Sequence, residues 1–136
     1  MKTVVKHTCV VFSLLICLLS FSAYARPKLL NYSSSVIIYT DANSSNATIK
    51  RVDSWYFSFQ KIYGESCLLN LTPQEIFDKF DAKILFTEVV ENVTCYYGYS
   101  KQFPYKKQIG DMIVNVHVAI ENDRVMFGTP IIYGSF

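Results

Sequence analysis

The sequence predicts an α+β domain: an antiparallel sheet of about five to six strands with one main helix packed on one face. Three observations carry this. A capped amphipathic helix opens at Thr72, the apolar period changes from 3.6 to 2 directly after it, and the rest of the chain alternates short apolar runs with tight turns. Such an order gives a meander and not a parallel crossover sheet. The 136 residues fit one domain. A composition of 51% hydrophobic, 15% aromatic and 18% charged residues excludes a disordered tail.

Residues 1–25 read as a secretory signal peptide. Lys2 and Lys6 supply a positive start, residues 9–21 are apolar, and Ala23-Tyr24-Ala25 has the small-x-small pattern of a cleavage site. The apolar run is short for a span, which takes roughly 20 residues, so no membrane span is expected after cleavage. The protein is expected to be exported, either extracellular or associated with the cell envelope. Without Lys2 and Lys6 the 13 basic residues fall to 11, equal to the 11 acidic ones.

Residues 26–35 read as a polar N-terminal linker and residues 36–136 as the single α+β domain. Val36-Ile37-Ile38-Tyr39 is a short strand, and residues 41–48 (DANSSNAT) have the composition of an exposed loop. The aromatic run 55–59 is a second strand, and residues 64–66 turn the chain. Thr72-Pro73-Gln74-Glu75 is a capping box with Pro at the first helical position, where its missing N–H costs nothing. Ile76, Phe77 and Phe80 then form an apolar stripe with Asp78, Lys79 and Asp81 turned outward. Residues 84–90 and 93–100 make a hairpin about Glu91-Asn92. Residues 103–107 form a basic, aromatic loop. Residues 112–120 read as one strand, with Met112, Val114, Val116, Val118 and Ile120 on one face and Ile113, Asn115, His117 and Ala119 on the other. Asn122-Asp123 turns the chain, and a last strand from Arg124 is interrupted at Gly128-Thr129-Pro130, as an edge strand or a bulge allows.

Cys9 and Cys17 leave with the leader. Cys67 and Cys95 remain, either as one disulfide in an exported chain or as two buried thiols. No Cys/His spacing suits zinc, and no metal or cofactor is expected. Asn31, Asn43, Asn46, Asn70 and Asn92 stand in Asn-x-Ser/Thr frames. In a eukaryotic secretory pathway these are glycan acceptors, and in a bacterium they carry no such meaning.

The stretch NVHVAI (residues 115–120), a short turn and then VMFGTPI (residues 125–131) resembles the ending of the YwmB-like family of exported Gram-positive proteins. The helix, hairpin and aromatic return strand of residues 76–100 are also similar, so the resemblance spans about residues 72–136. It implies a fold like that of TATA-box-binding protein. The chain after the leader has space for one half-repeat, which a homodimer or residues 36–63 would complete. No catalytic residues come with the resemblance.

Duplex binding needs clustered cations to neutralise phosphates. The only basic cluster is Lys101, Lys106 and Lys107 in an otherwise neutral mature chain, so nucleic acid is not an expected partner. His117 lies mid-strand and the sequence nominates no nucleophile or orienting acid beside it, so a small hydrolase is the minor reading. Asp81, Glu88 and Glu91 read as solvated carboxylates. The stretch that suggests binding is the aromatic and basic one: Tyr97, Tyr99, Phe103, Tyr105, Lys106 and Lys107 can stack on sugar rings or hold a partner chain. The expected function is a non-enzymatic envelope protein that binds a protein partner or a cell-wall polymer, or else a self-associating structural protein.

Overall fold

The structure is a computed structural model describing residues 2–25, 27–43, 49–54, 56–57 and 61–134, with side chains described for 7–17, 27–43, 51–54 and 61–134. A helix, α1 (Lys2–Ala23), leads into β1 (Tyr24–Ala25), a 3-10 turn (Lys28–Asn31), β2 (Val36–Tyr39), β3 (Ile49–Val52), β4 (Tyr56–Phe57) and β5 (Gly64–Leu69). Then follow α2 (Pro73–Lys79), β6 (Lys83–Val90), β7 (Val93–Tyr99), β8 (Lys107–Ile109), β9 (Met112–Val114), β10 (Val116–Glu121) and β11 (Arg124–Thr129). The class is α+β, as the sequence predicts.

The sheet has seven strands, more than the five to six expected, in the order β3-β2-β5-β11-β10-β7-β6 with every neighbour antiparallel. The turn expected at residues 64–66 is the start of an interior strand. Its polar residues are buried with partners: the Glu65 carboxylate accepts the Leu29 N–H at 3.0 Å, and the Ser66 hydroxyl shares a 2.7 Å hydrogen bond with Tyr39. Gly64 fits because a Cβ there would lie 2.6 Å from the Thr129 carbonyl oxygen. The aromatic strand expected at 55–59 appears only as Tyr56–Phe57, paired with β1 outside the main sheet; residues 55 and 58–60 lie outside the described residues.

Helix α2 starts as its capping box dictates. Glu75 N–H donates to Thr72 Oγ1 at 3.3 Å, and the Glu75 carboxylate accepts the Thr72 N–H at 2.7 Å. Ile76, Phe77 and Phe80 are buried on one face of the sheet with Val116, Val118 and Phe127. There Phe80 stacks on Phe127 with centroids 4.8 Å apart, and Phe103 meets Phe80 edge-on at 5.1 Å. Leu29 and Pro27 are buried too, so the segment before β2 packs into the domain and is no loose linker. Burying side chains of this kind stabilises by roughly 1.5–3 kcal/mol each.

The opposite face carries a second cluster: Cys95, Tyr97, Val114, Ala119, Met126 and Ile132. Its cover comes from the chain after β11. The Thr129–Pro130 peptide is cis, and residues 131–133 fold back over the sheet. Ile132 takes the space above Gly128, where a Cβ would lie 2.6 Å from Ile132 Cγ1. The strand β11 is therefore interior, between β5 and β10, and ends at Thr129 just before Pro130, so of the two readings of that proline, an edge strand or a bulge, the edge strand does not hold.

The long strand expected over residues 112–120 breaks at Asn115, which separates β9 from β10. The break changes the face. Val116 and Val118 pack under α2, whereas Val114 joins the opposite cluster. Asn115 is fully buried; its Oδ1 accepts the Ser100 N–H at 2.7 Å, and its Nδ2 donates to the carbonyls of Ser100 and Phe103 at 2.6 and 3.0 Å. These bonds offset the cost of burying the amide and fix the loop from Ser100 to Phe103.

Candidate ligand-binding groove

The alternation of β7 splits the aromatic stretch between two faces. Tyr96 packs toward α2, and Tyr97 points the other way, into a three-ring stack with Phe86 at 4.5 Å and His117 at 4.3 Å. The Tyr97 hydroxyl donates to Glu88 at 2.6 Å. Burial, then the Glu88 carboxylate, pushes the Tyr97 phenol well above its ordinary range. Phe103 is core, 4% exposed. Tyr105 turns to Glu65, and burial followed by the charge of Glu65 pushes it up to about 12. Tyr97 and Phe103 are buried, which corrects their expected place on a binding surface, and the half-buried Tyr105 does not line the groove described below. Lys107 is half-buried with its ammonium 5.9 Å from the Tyr133 ring centroid.

Tyr99 and Lys106 are brought together. The Lys106 ammonium stands 5.8 Å from the Tyr99 ring centroid. Both line an open groove of about 460 Å³ at the junction of β6, β7 and the β8–β9 hairpin. Lys83 opposes Tyr99 across the β6–β7 ladder and adds a second cation. Leu85, Met112 and Ile113 give an apolar wall, and Asp111 is the one acid in the lining. Met112 and Ile113 are exposed at 37% and 52%. The hairpin turns at Gly110, whose φ of 56° suits glycine, and Asn115 holds the loop on which Lys106 sits.

Lys83, Leu85, Asp111, Met112 and Ile113 were not legible as site residues. Met112 and Ile113 read as part of one long strand, and only the break at Asn115 folds them back toward Tyr99. The groove adjoins β6, the terminal strand of the sheet. Among the described residues nothing pairs with its outer side, and Val89 and Val90 are exposed at 67% and 54%. Another hollow, of about 380 Å³, is lined only by α1 residues such as Phe12 and Ile16, within the stretch that reads as a leader.

His117 is 5% exposed. Its Nδ1 accepts the Ile132 N–H at 3.1 Å, and its Nε2 is buried with no hydrogen-bond partner among the described residues. Burial alone pushes its pKa down to about 4. Cys67 and Cys95 are free thiols on opposite faces of the sheet. Strands β11 and β10 lie between theirs, a separation of roughly 14 Å at the usual strand spacing, so the disulfide cannot form. Burial pushes the Cys67 thiol up to about 12. Among the described residues no three of His, Cys, Asp and Glu are grouped to hold a metal ion, and no helix is long and apolar enough to cross a membrane. No protein-family model matches the chain, and no curated protein or solved structure is similar to it.

Proposed function

We propose that the chain is an exported, non-enzymatic binding module that holds an extended segment of a protein partner. The segment lies along the free edge of β6 and sets an apolar side chain, next to an acidic one, into the groove. The observation that carries this is the groove itself: two cations, Lys83 and Lys106, and one acid, Asp111, line it together with an apolar wall, beside strand backbone that is unpaired among the described residues. Backbone pairing supplies affinity in such a mode, and alternate side chains supply selectivity. The burial of His117 and, among the described residues, its lack of an orienting acid support the non-enzymatic reading.

The test is peptide binding followed by fluorescence anisotropy. Peptides with alternating acidic and apolar residues should bind the wild type and lose affinity on Tyr99→Ala and Lys106→Glu. Unchanged affinity in both folded variants sinks the groove. A second reading is pairing of β6 with β6 of another copy, which the exposure of Val89 and Val90 favours. Sedimentation of monomer alone at micromolar concentration removes it.

A further inference from the structure

We infer that this chain is an N-linked glycoprotein, with glycans on Asn31, Asn43, Asn70 and Asn92. The inference rests on the export reading above and is independent of the groove. Two unrelated observations agree. The first is frequency. Serine and threonine make up 21 of the 136 residues, so chance alone puts about one of the seven asparagines two positions before a hydroxyl, whereas five stand there.

The second observation is placement. All four described frame asparagines are exposed and lie outside the strands: Asn31 ends the 3-10 turn, Asn43 follows β2, Asn70 follows β5, and Asn92 sits in the β6–β7 turn. Asn46 lies outside the described residues. Of the two asparagines without a frame, Asn122 is exposed in the β10–β11 turn, and Asn115 is fully buried with its amide consumed in the three bonds that hold the Ser100 loop. None of the four described frame asparagines lines the groove. Asn70 and Asn92 lie at the end of the sheet that also bears the Asn122-Asp123 turn, with the groove at the other end.

The chemistry is group transfer from a polyprenyl-diphosphate-linked oligosaccharide, catalysed by a transferase of the secretory compartment. The side-chain Nδ2 attacks C1 of the reducing-end sugar. The N–C1 bond forms as the bond from C1 to the diphosphate oxygen breaks, the polyprenyl diphosphate leaves with the electron pair, and Nδ2 gives up one proton to a base of the transferase. At Asn92 the remaining N–H can keep its hydrogen bond to Glu121, now 3.1 Å long. The frames carry this meaning in a eukaryotic secretory pathway, and so point away from the bacterial source that the YwmB-like resemblance implies.

The test takes the full chain as secreted by eukaryotic cells, treats it with an amidase that releases N-glycans and leaves aspartate, and maps the peptides. Conversion of Asn31, Asn43, Asn70 and Asn92 to Asp, with Asn115 and Asn122 unchanged, is expected. Thr94→Val should remove one glycan and Thr94→Ser should keep it, since only the frame hydroxyl differs in role. A secreted product with unmodified asparagine at all four positions overturns the inference and leaves export standing. A product kept in the cytosol with residues 1–25 attached overturns the export reading and the inference with it.

Discussion

Acid should loosen this protein through one side chain, His117, and the size of the effect follows from its surroundings. Its Nδ1 is an acceptor for Ile132 N–H, its ring is stacked on Tyr97, and its Nε2 is sealed from water. A proton added at Nδ1 removes that acceptor and leaves a buried charge with no counterion among the described residues. The folded pKa is therefore about 4 against an ordinary 6.5. A base whose folded pKa is depressed contributes its full stability above 6.5, loses it as the pH falls, and has lost it below 4. At 1.36 kcal/mol per pH unit the loss is about 3 kcal/mol in all, of which about 2 kcal/mol is gone by pH 5. Glu65 acts in the opposite sense. Burial raises its pKa, so its contribution is present below the unfolded value near 4.5 and lost as the pH rises through the raised one. A difference experiment cancels it. Urea unfolding of wild type and His117→Gln, followed by circular dichroism at pH 7 and pH 5, should give a wild-type loss about 2 kcal/mol larger than that of the variant. Equal losses in the two proteins would refute the argument.

Three further outcomes follow from the packing. Gly98→Ala should destabilise by about 2–3 kcal/mol in the same urea assay, because the new Cβ would lie 2.4 Å from Phe77 Cε1 and 2.6 Å from the Lys83 carbonyl oxygen. Asn115→Ala should cost about 3 kcal/mol by leaving Ser100 and Phe103 backbone groups unpaired, and Lys106-dependent peptide binding should weaken with it. A thiol reagent at pH 8 should leave Cys67 untouched in the native protein and modify it in urea; native reaction would contradict its burial.

Local chemistry explains what could be read in advance. The cap at Thr72, the Glu91-Asn92 turn and the Asn122-Asp123 turn depend on neighbours a few positions away, and all three stand where the residues put them. Long-range compensation hid the rest. Glu65 and Ser66 look like turn residues until Leu29 and Tyr39 arrive to satisfy them. Asn115 is a polar residue in an unbroken alternation, and nothing nearby in sequence announces that Ser100 and Phe103 will claim its amide. Of the expected binding residues only Tyr99 and Lys106 meet in the groove, because alternation and burial commit Tyr97, Phe103 and Tyr105 elsewhere.

The placement of β11 between β5 and β10 constrains when the protein can form. Leu69 finds its ladder partner only in Val125, and the ring that Phe80 stacks on is Phe127. A nascent chain that has emerged as far as Ile120 has made its hairpins but lacks the strand that joins the two halves of the sheet. Closure of the sheet therefore waits until Arg124–Thr129 has emerged, because neither half of the sheet has its central partner before then.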